Sequence, residues 1–171
     1  MTRAVPHPML RLSLLRHAQA DDPVSNQEDW DRPLTRRGML DAKEMSRRMK
    51  VAKQKPQLIL SSPAIRARQT AETFAQCFNG ATLQFFEGLY LADPKQLFHC
   101  IREHGGTAAH LLVVAHNPGI TEFASELAQE RNIDAMPTGC IVTAEFELTN
   151  WQNLQAATGI NVELDYPQRP A

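Results

Sequence analysis

The sequence predicts an α/β protein: one domain, with a sheet covered by helices on both faces. Three observations carry that expectation. Short apolar, strand-like runs alternate with segments of helical periodicity. Pro and Gly punctuate the junctions between them. The length, 171 residues, suits a single compact core.

The first strand is expected at residues 10–15, where Leu10 to Leu15 alternate and then run apolar. Arg16 to Asp31 is polar, carries Pro23 and has neither periodicity, so it reads as a loop. Thr35 reads as a helix N-cap. Leu40, Ala42, Met45, Met49 and Ala52 form the apolar face of the helix that follows, and Pro56 closes the segment. Residues 57–61 form a short buried strand. Pro63 opens a helix over residues 63–77, Asn79-Gly80 turns the chain, and residues 83–86 make the next strand.

Pro94 begins a helix to His104, stopped by Gly105-Gly106. His110 to Ala115 is the most strand-like run. Asn117 and Pro118 lead into a helix expected to reach about Arg131, followed by strands at residues 140–148 and 161–166. The ends, residues 1–9 and 167–171, read as flexible.

Composition excludes several function classes. Net charge is -1, so the whole molecule is not steered toward nucleic acid or acidic membranes. Any anion site must come from a local cluster of Arg and His. Cys77, Cys100 and Cys140 are odd in number and form no C-x-x-C pair. They read as buried or half-buried thiols in a reducing compartment, neither disulfides nor metal ligands. No apolar run approaches a membrane span, and residues 1–11 lack a signal-peptide pattern. The expectation is a cytoplasmic protein.

Ligands of such sheets bind beyond the carboxyl ends of the strands. Two strands end in histidine-bearing loops, at Arg16-His17 and at Ala115-His116, and a third ends at Ser61-Ser62 just before Arg66. Two guanidinium forks and two imidazoles around one hollow suit a phosphoryl dianion. A neutral imidazole can also attack phosphorus. Taken singly, each histidine reads first as a satisfied structural one; together, with an Arg beside one of them, the pair leaves both readings open.

Leu15-Arg16-His17-Ala18-Gln19-Ala20 resembles the Arg-His-Gly signature of the histidine phosphatase, or phosphoglycerate mutase-like, superfamily. Its Arg-His-Ala form resembles the short SixA-type phosphohistidine phosphatases. Four further segments fit in order: Asp31-Arg32-Pro33-Leu34-Thr35 with Gly38, residues 61–70 around Arg66, Leu89 to Pro94, and Val113 to Gly119. The match runs over residues 10–145.

The resemblance implies a three-layer domain with a mixed, mostly parallel sheet. It implies His17 as phosphorylated nucleophile, and Arg16, Arg66 and His116 as phosphate-binding residues. It implies a hydrolase that needs neither cofactor nor metal. Its partner would be a phosphorylated protein of the histidine-phosphotransfer type or a small phosphoester; the chain would be a monomer or weak dimer. Ala18 and Ala20 depart from the family's usual Gly and polar residue. Glu87 lies about where larger members place a proton donor, and is the candidate general acid against the reading of a solvated turn carboxylate. No large insertion separates His17 from Arg66 or Glu87 from His116, so an open pocket is expected. Two alternatives stand beside the phosphatase: a phosphoglycerate-type mutase, and a non-catalytic phosphate- or phosphoprotein-binding module on the same fold.

Asp31 and Arg32 are expected to fix their loop. Arg68, Arg36-Arg37 and Arg47-Arg48 read as surface charge. His7, His99, His104 and His110 read as structural or exposed, and Trp30 and Trp151 as core or core-edge residues.

Overall fold

The structure, a computed structural model, describes residues 7–169. Residues 1–6 and 170–171, part of the ends read as flexible, lie outside the described residues. Of the remainder, Pro167 is buried and accepts a hydrogen bond from Arg48 Nη2 at 3.1 Å.

The elements follow the expected alternation: β1 (Leu10–Arg16), α1 (Arg36–Val51), β2 (Leu58–Ser61), α2 (Ile65–Cys77), β3 (Thr82–Phe85), α3 (Pro94–His104), β4 (His110–Ala115), α4 (Gly119–Leu127), β5 (Ile141–Phe146) and β6 (Ile160–Asp165). They build one six-stranded sheet in the order β3-β2-β4-β1-β5-β6. The pairs β3/β2, β2/β4 and β4/β1 are parallel, and β5 runs antiparallel to both β1 and β6. The sheet is mixed and mostly parallel, with a helix layer on each face.

Each layer has its own apolar core. On one face Met45 and Met49 of α1 and Ala67, Ala71 and Phe74 of α2 pack against Leu15, Ile59, Leu112 and Val114. On the other, Leu97 and Ile101 of α3 and Ile120, Phe123 and Leu127 of α4 pack against Leu12, Leu14, Leu60 and Val113. All six residues of β4 are buried, as a central parallel strand covered on both faces requires.

The helix starts are made by their own sequence. Thr35 Oγ1 accepts from Gly38 N at 2.9 Å. Asp93 and Gln96 form a reciprocal capping box ahead of Pro94. Each cap satisfies an otherwise orphaned N–H and contributes about 1 kcal/mol.

Three expectations need correction. The buried face of α1 is Gly38, Asp41, Ala42, Met45, Ser46 and Met49; Leu40 is 53% exposed and Ala52 is exposed. Residues 41, 42, 45 and 49 keep helical spacing, and Leu40 falls off that stripe. α4 stops at Leu127, short of Arg131, because the chain leaves the helix to bridge Gly159. Gly159 N donates to Leu127 O at 2.8 Å and Gln129 N to Gly159 O at 2.9 Å. Arg48 is not a freely solvated charge: it bonds to Glu44, Asp165 and the carbonyls of Tyr166 and Pro167, tying α1 to the end of β6.

Gly119 marks the tightest approach near the carboxyl end of β4. A Cβ there would fall 1.7 Å from the Ala92 carbonyl oxygen. Either the first turn of α4 or the chain at Ala92 would have to move. Gly119→Ala is therefore expected to destabilise the fold by about 2 kcal/mol. Urea unfolding measures this, and an unchanged midpoint would contradict the packing.

Candidate active site

Parallel pairing sets the site. Leu15 is level with Val114, Arg16 with Ala115, and Ser61 with Val114. Arg16, Ser61 and Ala115 therefore end at one edge of the sheet, and the residues just beyond them share one hollow. His17 N donates to Ala115 O at 3.2 Å, and Ser62 N donates to Val114 O at 3.0 Å. The His17 and His116 rings lie 5.1 Å apart, centroid to centroid.

His17 is buried, and its Nδ1 donates to the Ala18 carbonyl at 2.7 Å. A carbonyl only accepts, so the proton sits on Nδ1 and Nε2 carries a free lone pair. Burial pushes the His17 pKa down to about 4. The Ala18 carbonyl opposes that shift, while Arg66, Arg16 and Arg32 add to it. The ring is neutral at physiological pH. Ala18, where the family signature has Gly, is buried and donates its N–H to Thr70 Oγ1 at 3.1 Å; Thr70 in turn donates to the Arg66 carbonyl at 2.7 Å. The loop carrying His17 and the start of α2 are thus held as one unit.

His116 is also buried. Its Nε2 lies 2.7 Å from Ser62 Oγ, and its Nδ1 has no partner among the described residues. Ser62 Oγ also accepts from Ala64 N at 3.3 Å. The buried hydroxyl must place its own hydrogen, and Nε2 is the acceptor within reach. His116 therefore carries its proton on the unpartnered Nδ1, a donor left for an anion. Burial, followed by His17 and Arg66, pushes its pKa down to about 3.

Arg16 donates from Nη1 to the Met136 carbonyl at 3.0 Å, and its Nε is buried without a partner among the described residues. Arg66 is 3% exposed. Its Nη1 donates to the Asp29 carbonyl at 2.7 Å and its Nη2 to Asp29 Oδ2 at 2.9 Å. Asp29 also accepts from Arg32 Nη1 at 2.9 Å and from the Tyr90 hydroxyl at 2.6 Å. Burial raises the Asp29 pKa, but the hydrogen bonds from Tyr90, Arg32 and Arg66 outweigh it and hold the carboxyl well below the usual range. Tyr90 stands edge-on to His116, with centroids 5.5 Å apart, and Trp30 packs on Tyr90.

The structure thus brings together Arg16, His17, Arg66 and His116. Glu87 is exposed, in the short turn Glu87–Leu89, and its side chain has no hydrogen bond to any of these four. The loop after β1 folds back and sets Asp29 on Arg66. Sequence reasoning missed three residues here. Asp29 looks like any of the four Asp at positions 21, 22, 29 and 31 of one polar loop. Ser62 and Tyr90 lie within quoted segments, but nothing in sequence spacing pairs them with His116. Of the other residues, Trp151 is fully buried, Arg68 stacks over Phe85 at the surface, and Cys77, Cys100 and Cys140 are free thiols, the last two buried.

The pattern of the Histidine phosphatase superfamily (branch 1) matches residues 12–90. An uncharacterized protein of Picosynechococcus sp. is 36% identical over 121 residues, covering 70% of this chain and 73% of its own length. The chain belongs to the histidine phosphatase superfamily. Its phosphoglycerate mutase-like fold superposes on a proposed phosphohistidine phosphatase SixA from Nakamurella multipartitia with a TM-score of 0.83, at 22% identity, over 96% of this chain and 100% of that one. A protein histidine phosphatase SixA complexed with tungstate superposes with a TM-score of 0.76, at 22% identity, over 92% and 97%. The superfamily match spans Arg16, His17 and Arg66 and stops short of His116; the sheet register supplies the fourth residue. The histidine phosphatase fold supports a phosphatase or mutase working through a histidine. No described helix is long and apolar enough to cross a membrane.

Two predictions follow from the buried imidazoles. Long-range 1H–15N spectra should show Nδ1–H with bare Nε2 at His17, and Nδ1–H at His116. Ser62→Ala should mix the His116 tautomers and leave His17 unchanged; an unchanged His116 spectrum would count against the assignment. The second concerns stability. His17, His116 and His110 are held near 4, 3 and 4, whereas in the unfolded chain they titrate near the ordinary value. Between these limits the unfolded state binds more protons, so stability is greatest above about pH 6.5 and falls as pH drops toward about 4. Calorimetry at pH 5.5 should find about three protons taken up on unfolding; uptake near zero would show that these rings are not buried neutral.

Proposed function

We propose that this histidine phosphatase hydrolyses phosphohistidine in signalling proteins, or simple phosphomonoesters, through a covalent phospho-His17 intermediate. The observation that carries this is the His17 tautomer: Nδ1 bonded to Ala18 O, Nε2 bare, beside Arg16, Arg66 and an unpartnered His116 Nδ1.

In the first step the Nε2 lone pair forms an N–P bond as the substrate's P–O or P–N bond breaks, and the leaving group departs with that electron pair. Arg16, Arg66 and the His116 Nδ1–H hold the equatorial oxygens, on which negative charge spreads. In the second step water attacks phosphorus, the N–P bond breaks, and inorganic phosphate leaves with His17 restored. Guanidiniums set in place beforehand stabilise both transition states without reorganising.

The groups near the reacting centre favour substrates with good leaving groups. The carboxylate seated there, Asp29, is held ionised by three donors and is a poor acid. Glu87 is exposed and unattached to the pocket. A phosphohistidine or aryl phosphate needs little proton donation, which agrees with such a site. The SixA resemblance supports the phosphohistidine reading, with a phosphorylated protein as partner in the cytoplasm.

Brief exposure of the enzyme to labelled substrate should leave an acid-labile, base-stable label on His17. A phosphorylated histidine-transfer domain should release free phosphate faster than phosphoglycerates do. His17→Ala should abolish both label and turnover. Full activity in that variant rejects the mechanism, and exchange of phosphate between positions of phosphoglycerate makes the enzyme a mutase.

A further inference from the structure

The candidate phosphate site gathers arginines, and one carboxylate, Asp29, pairs with two of them. Three guanidiniums, Arg66, Arg16 and Arg32, act on His17. Both imidazoles are neutral, their pKa values lowered to about 4 and about 3. One carboxylate, Asp29, acts on His116. It pairs with Arg66 at 2.9 Å and Arg32 at 2.9 Å. The Asp29 carboxylate thus offsets part of the guanidinium charge gathered at this end of the sheet.

We infer that Asp29 is a specificity-determining residue: it limits the pocket's charge to one phosphoryl group, and so selects substrates whose remaining part is neutral or cationic over those with a second anion beside the phosphate. This rests on the phosphatase reading and extends it to the class of substrate. A phosphoester bearing a carboxylate close to phosphorus meets the Asp29 carboxylate, whose side chain is 42% exposed. Exclusion by like charge is a common way for a site to reject a competitor. The imidazole of a phosphohistidine, already protonated on its other ring nitrogen, departs as a neutral ring and brings no second anion.

The position of Asp29 supports this role. It lies in a turn of only three residues, Asp29–Asp31, so its carboxylate is held by what it binds rather than by a helix. Its backbone carbonyl also holds Arg66, at 2.7 Å. Neutralising the side chain therefore leaves one of the two Arg66 contacts in place. A change of charge can be tested without releasing the arginine.

The test compares 3-phosphoglycerate with glycerol 3-phosphate, a pair matched in their alkyl phosphate and differing by a carboxylate. The ratio of their kcat/KM values is read in the unaltered enzyme, in Asp29→Asn and in Asp29→Asn with Arg32→Gln. The ratio of their dissociation constants is read by calorimetry for the same set in a His17→Ala background. Asp29→Asn should shift both ratios toward phosphoglycerate by about tenfold, and adding Arg32→Gln, which restores the net charge, should bring them back to within about twofold of the starting values. If Asp29 only holds the loop, both ligands weaken alike and the ratios stay put. That result overturns the inference, as does a shift that Arg32→Gln fails to reverse. The binding ratios need no turnover, so an enzyme inactive on every phosphate compound would defeat the phosphatase reading while this inference is judged separately.

Discussion

The in-register parallel pairing of β2, β4 and β1 is the constraint on which the site depends. Because Ser61 is level with Val114, and Arg16 with Ala115, three loops leave the sheet at the same height. A slip of one residue in β1 would turn the side chains of Leu12, Leu14 and Leu15 to the wrong cores. The apolar packing that holds the register therefore also holds the distance between His17 and His116. Core and chemistry are set by the same contacts.

Burial then decides what the histidines can be. Two imidazoles beside three guanidiniums would repel as cations, and desolvation disfavours the charged forms further. Both effects push toward the neutral ring, and a neutral ring is what a nucleophile requires. The arginines can remain charged where the histidines cannot, because their ordinary pKa lies far higher. Charge in the pocket is thus divided by chemical type: permanent on guanidinium, absent on imidazole, and negative on Asp29.

A shifted pKa does not by itself mark a site. His110 is buried, is pushed down to about 4 and has an Nδ1 without a partner among the described residues, as His116 does. It lies at the first residue of β4, bonded to Ser13 and through it to Thr143. Arg11 adds to the shift, but the ring is bonded into the sheet through Ser13, so it reads as a buried structural histidine, as the sequence suggests. Nor does size mark a site. A cleft of about 850 Å3 opens between α1 and β6, lined by Arg48, Arg131, Thr143 and Asp165, with none of the four pocket residues among its lining.

The sequence by itself determined the alternation of strands and helices, because hydrophobic period and capping chemistry act over a few residues. α3 begins at Pro94 and ends at His104, and β4 spans His110 to Ala115, as their Pro, Gly and apolar signals say. The strand-end motifs also set Arg16, His17, Arg66 and His116 along the chain as candidates. Only the tertiary structure decided the end of α4, which depends on a bridge to Gly159 some thirty residues on. It alone decided the tautomers, which need Ala18 O and Ser62 Oγ within bonding reach. And it alone picked Asp29 from its neighbours, because the Coulomb energy of a carboxylate depends on its distance from Arg66 and Arg32, and that distance is a property of the folded loop.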